Sequence, residues 1–235
     1  MTRFSFSEFL PSIARSALCT ALFFPAAALS EPVACPNPDI RVVAPDRETV
    51  ALVCAGSEKA LKMLAACHLP QREPVLISVV EKVQHPLGTD CVAFADCTTQ
   101  EIELTAPDFL PRNGRDGDVF TRIPTAEMFE SLIAHELTHL LVHQSHPDRV
   151  NEINQEYMAY AMQLQSLAPE TRMLFLDRIE VADPQDTSRI NLFFMNTAPS
   201  LFAAHAWAHF SAPANGCAHF KRILDGEASF QSWTY

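Results

Sequence analysis

His135 and His139 stand four residues apart, with Glu136 beside the first of them, in the run His135-Glu136-Leu137-Thr138-His139. On a helix, a four-residue spacing places both imidazoles on one face, one turn apart, where they can reach the same cation. Glu136 is then placed to take a proton from a water activated by that ion, without being a ligand itself. The chemistry such a trio supports is metal-assisted hydrolysis. The surrounding residues strengthen the reading. From Leu132 to Val142 the only polar side chains are His135, Glu136, Thr138 and His139. A helix apolar on nearly every side is buried. Buried His and Glu side chains need partners, and a metal ion is one.

Zinc needs a third protein ligand and, for catalysis, an open fourth position. His143 continues the same helix by one more turn, which makes it an awkward third ligand. A glutamate from the next helix is the better option, and Glu152 and Glu156 both lie there. The apolar stripe of that helix is Val150, Ile153, Tyr157, Tyr160, Ala161, Leu164 and Ala168. At roughly 100° per residue, Glu156 falls about 90° from the middle of the stripe and Glu152 about 130°. Glu156 is therefore expected at the margin of the buried face and Glu152 in solvent. A developing oxyanion needs a second donor, and Tyr160, His205 and His209 are the candidates. His205 and His209 repeat the four-residue spacing without a glutamate, and helix-packing histidines flanking Trp207 are the competing reading. His143 and His146 are candidates for supporting the ligands, and His68, His85 and His219 carry no site expectation.

The segment Leu132-Ile133-Ala134-His135-Glu136-Leu137-Thr138-His139-Leu140-Leu141 resembles the extended zincin pattern. Glu156-Tyr157-Met158-Ala159-Tyr160 is similar to the downstream glutamate segment of the gluzincin type. The stretches Phe202–Phe210 and Gly216–Leu224 resemble the closing helices of small peptidases of that kind, although the connector between His139 and Glu156 is short beside many gluzincins. The metzincin continuation of a Gly and a third His is absent. The resemblance implies a zinc metallopeptidase in which His135, His139 and Glu156 bind Zn2+ and Glu136 is the general base. It also implies an edge strand, expected at Glu101–Leu104, that pairs with an extended peptide or protein substrate. An exported zinc-binding domain without catalysis and a zinc hydrolase of non-peptide bonds are the alternatives.

These residues need a scaffold, and the 235-residue chain is long enough for one substantial domain. The formal charge of −11 and the lack of a basic stripe argue against nucleic acid as a partner. Residues 1–30 read as a signal peptide. Arg3 and Arg15 precede an apolar run from Ala17 to Leu29, and Ala28 and Ser30 give a small-x-small cleavage pattern near Ser30. A spanning helix needs roughly 20 apolar residues, so no stable membrane anchor is expected. Residues 31–235 then form a single exported domain, periplasmic or extracellular. Six cysteines remain in it, Cys35, Cys54, Cys67, Cys91, Cys97 and Cys217. An even number in an exported protein favours disulfides, with Cys91–Cys97 the expected local pair.

The expected class is α+β: a helix and a small, mostly antiparallel sheet in residues 31–118, then a helical half in residues 119–235. Residues 31–45 are Pro-rich and extended. A helix is expected over Arg47–Leu69, dented or split at Gly56-Ser57. Strands are expected at Val75–Val83, Cys91–Ala95 and Thr98–Leu104, the last two as a hairpin, with a turn at His85-Pro86-Leu87-Gly88. Asn113–Asp118 reads as a loop. Thr125 is expected to cap the motif helix, which runs to about Gln144. Helices are further expected over Pro147–Leu167, Pro169–Ile179, Ala198–Phe210 and Gly216–Asp225.

Overall fold

Asp46 sets the first helix. Its backbone is extended, and its carboxylate accepts the Thr49 N–H at 2.8 Å, which satisfies one of the open donors of a helix start. In the computed structural model, which describes residues 31–84, 91–110, 119–147 and 149–230, helix α1 spans Arg47–Ala66. His68 ends it in the left-handed conformation, with the Leu69 N–H turned back onto the Leu64 carbonyl at 2.9 Å, a stop that glycine usually makes. Gly56 and Ser57 do not split the helix. Gly56 lies so close to the motif helix that a Cβ there would meet Ile133 Cδ1 at 2.8 Å. The glycine serves packing, not a break.

The sheet has five strands: β1 (Val33–Ala34), β2 (Ile40–Val43), β3 (Val75–Val80), β4 (Ala93–Asp96) and β5 (Glu101–Thr105), in the order β1-β2-β3-β5-β4. The expectation of a mostly antiparallel sheet is corrected, because β2–β3 and β3–β5 are parallel. The cause is connectivity. Helix α1 returns the chain from β2 to a parallel β3, as a crossover must, and the β4–β5 hairpin folds back so that β5, not β4, lies against β3. The Pro-rich start contributes the two extra strands. Glu101–Leu104 is therefore interior, and the edge beside the helices belongs to β4. Ile40, Val42, Val75, Ile77, Ile102 and Leu104 form the buried face of the sheet, in register from strand to strand.

The second half is helical: α2 (Thr125–Ser145), α3 (Glu152–Ser166), α4 (Pro169–Leu176), α5 (Leu192–Thr197), α6 (Pro199–Ser211) and α7 (Gly216–Leu224). The chain is thus α+β, as expected. Thr125 is not the cap of α2. Pro124 takes that place without a side-chain bond. Glu127 instead accepts the Ala168 N–H at 3.1 Å and the Thr171 hydroxyl at 2.8 Å. Helix α3 starts five residues later than expected because Asn151 caps it, accepting the Asn154 N–H at 2.9 Å. Helix α5 was not foreseen.

The expected Cys91–Cys97 bridge is also corrected. Cys35 pairs with Cys54 and Cys67 with Cys217, while Cys91 and Cys97 remain thiols. Strand β4, Ala93–Asp96, lies between the latter two, and its extended backbone carries the chain about 10 Å from one end to the other. The two disulfides fit an exported protein. No helix among the described residues is long and apolar enough to cross a membrane. The signal segment 1–30, the turn at His85 and the loop Asn113–Asp118 lie outside the described residues.

Candidate metal centre

Helix α2 is the buried centre of the molecule. Between Phe129 and Val142 only Glu130 and His139 are more than marginally exposed. It packs against α1, α3 and β4. His135 is 8% and Glu136 6% exposed, so the polar face of the motif is turned inward, toward α3.

Glu156 meets the two histidines there. His135 Nε2 lies 3.5 Å from Glu156 Oε2, and His139 Nε2 lies 3.4 Å from Glu156 Oε1. One donor atom from each of the three residues falls within 4.8 Å of the others, and among the described residues this is the group that can hold a metal ion. The spacing is informative. Donors about 2.0–2.1 Å from a tetrahedral ion are separated by about 3.3–3.4 Å, close to what the side chains already show. Charge-assisted hydrogen bonds would be tighter, at about 2.7–2.9 Å.

The electrostatics agree with the geometry. Burial opposes ionisation of Glu156, but the His139 and His135 imidazoles outweigh it and hold the carboxyl down at about 2. Burial works to lower the His135 pKa, yet Glu156 and Glu136 reverse the net shift to upward. Glu136 is raised above the ordinary carboxylate range, chiefly by burial and further by Glu156, against the pull of both histidines and the backbone N–H of Ala95. A carboxylate with a raised pKa is better matched to proton transfer near neutrality.

Strand β4 thus touches the glutamate through Ala95. The Thr105 N–H donates to the Val92 carbonyl at 2.8 Å, so residues 92, 94 and 96 bond β5. The N–H and C=O groups of Ala93 and Ala95 then face away from β5, along the sheet edge.

Tyr160 lies at the site, its ring edge-on to His135 with centroids 4.7 Å apart. Phe120 and Phe202 flank it at 6.0 and 5.6 Å. His205 is one turn beyond Phe202 on α6. Its charged neighbours are Asp186 and Arg189, and burial lowers its pKa. His209 is held away from the metal group, bonded to the Tyr157 hydroxyl at 2.9 Å. Glu152 is exposed, as expected, and His143 is half-buried further along α2. His146 forms the C-terminal cap of α2.

Sequence reasoning missed Gln163, which lies 3.0 Å from His135 Nδ1 through Oε1 and is buried. A signal existed: Gln163 is seven residues beyond Glu156, about 20° from it around the helix. It also missed Cys97, whose thiol is pushed up to about 11 by burial, Asp96 and Glu136.

Residues 40–233 match the family of unknown function DUF6639, and the chain belongs to that family. No curated protein and no solved structure is matched by the chain.

Proposed function

We propose that this member of DUF6639 is an exported zinc-dependent hydrolase, most simply a metallopeptidase, with His135, His139 and Glu156 as zinc ligands and Glu136 as general base. The convergence of those three donors beside a buried, proton-accepting Glu136 carries the reading. A two-imidazole, one-carboxylate donor set suits zinc and leaves a fourth position for water. A structural zinc site normally shows four protein ligands, and the described group has three.

Zinc, when bound, supplies a Lewis acid that polarises a carbonyl and makes water acidic enough to attack it. Glu136 takes the proton from the attacking water on its carboxylate and delivers it to the departing nitrogen. Tyr160, edge-on to His135, presents its hydroxyl to the oxygen that gains charge. His205 is the reserve candidate for that role. An extended peptide pairs with β4 through the Ala93 N–H and C=O and the Ala95 C=O, the Ala95 N–H being taken by Glu136, in place of the edge expected at Glu101–Leu104. Edge pairing favours a peptide over a small non-peptide substrate.

The test is metal analysis of the purified mature protein and cleavage of a peptide library, beside Glu136→Gln. Stoichiometric zinc with Glu136-dependent cleavage supports the proposal. Zinc without such cleavage leaves a metal-binding domain and removes the peptidase.

A further inference from the structure

The hydrogen bonds behind His135 have a direction, and the direction ends at a backbone carbonyl. Ser131 Oγ lies 2.8 Å from the Met128 carbonyl and 3.9 Å from Met128 Sδ. Neither atom has a proton to give, so the hydroxyl must donate toward them. Its oxygen is then available only as an acceptor. Gln163 Nε2 lies 3.4 Å from that oxygen and donates to it. This orients the amide: its Oε1 faces His135 Nδ1 at 3.0 Å. An oxygen there requires Nδ1 to carry a proton, so in the neutral ring the lone pair is on Nε2, the atom that points at Glu156. A flipped amide would do the opposite. Its NH2 group would donate to Nδ1, the proton would move to Nε2, and His135 could not bind a metal through that atom.

We infer that Gln163, held in orientation by Ser131 and the Met128 carbonyl, is the positioning residue that keeps a proton on His135 Nδ1, so that Nε2 is the nitrogen left for a metal. Ser131, Gln163 and His135 are 0%, 2% and 8% exposed, so no water competes for these bonds. The partner is a neutral amide where a carboxylate would serve the same geometry. Two carboxylates, Glu136 and Glu156, already crowd the site, and a third would add buried negative charge. The metal-binding part of this inference rests on the proposed zinc site. The tautomer does not.

The test uses the metal-free mature protein with 15N-labelled histidine, with the pH raised until the His135 shifts stop changing and the His135 signal assigned by its absence in His135→Gln. Wild type is expected to show the proton on Nδ1. Gln163→Glu keeps an acceptor at the same place and is expected to keep that tautomer. Gln163→Leu is expected to lose it, and zinc affinity measured against a competing chelator is expected to fall about 10–100-fold. Ser131→Ala frees the amide to flip and is expected to give a mixture and a smaller loss of affinity. A wild-type His135 protonated on Nε2 would overturn the inference without any variant. So would a Gln163→Leu protein, folded by circular dichroism, with unchanged tautomer and unchanged zinc affinity. If wild type shows the Nδ1 proton but binds no zinc, the positioning stands and the zinc reading fails.

Discussion

Helix α3 separates two groups of histidines that the same residue type builds for opposite ends. On one face, Glu156 meets His135 and His139 from α2. On the neighbouring face, Tyr157 meets His209 from α6 and His219 from α7, with Phe220 and Phe230 packed around them. The first group has two carboxylates, and His135 is shifted upward. The second has aromatic rings and a second imidazole as its neighbours. Burial lowers both His209 and His219, and His219 falls to about 4 through burial, His209 and Arg222 in that order. A buried imidazole is basic or not according to what faces it. His205 and His209 on α6 repeat the spacing of His135 and His139 on α2, but among the described residues the group that could hold a metal forms only where Glu156 faces the pair.

The comparison breaks most decisively at the metal. His139→Ala should leave no zinc bound after desalting, measured by elemental analysis, whereas His209→Ala should leave the metal content unchanged. Loss of zinc in the second variant would mean the two groups are one site. Next in size, Glu136→Gln should reduce peptide cleavage by about 100–10,000-fold at unchanged zinc content, read by steady-state kinetics.

The second group is held by the Cys67–Cys217 disulfide, which closes 150 residues and ties α7 to the end of α1. Replacing both cysteines by serine should lower stability by about 2–5 kcal/mol in urea unfolding. Zinc content should stay put if α3 insulates the first group from the second.

Acid should act through the second group as well. An unfolded histidine titrates near 6.5, about where free imidazole does, but folded His219 resists protonation down to about 4. Between those values the unfolded chain binds a proton that the folded chain refuses. Stability therefore falls as pH drops through this window and levels off below it. His219 is half-buried, so the loss should be on the order of 1–2 kcal/mol, discounted for solvent screening. Unfolding curves at the two ends of the window should show it in wild type and less of it in His219→Phe. The smallest effect belongs to neither group: Asp46→Ala should slightly lower the urea midpoint by removing the cap of α1, with no change in metal content.

Much of this was legible in the amino-acid order because it depends on local spacing. The His135–His139 face, the burial of α2, the margin position of Glu156 and the exposure of Glu152 all follow from a 100° helical turn and the apolar pattern. The α+β class and the β4–β5 hairpin follow from short strand-like runs ahead of the helical pattern. Other features lay beyond local spacing. Sheet order is a long-range choice, which is why the edge moved from Glu101–Leu104 to Ala93–Asp96. Cysteine pairing depends on which backbones lie within about 7 Å, as those of Cys35–Cys54 at 5.4 Å and Cys67–Cys217 at 4.5 Å do. The partner of His135 is 28 residues away in Gln163, and its orientation is imposed by a carbonyl on α2. Sequence periodicity determines which side chains share a face. Only the packing of one face on another decides what each imidazole meets, and therefore whether it can hold a metal.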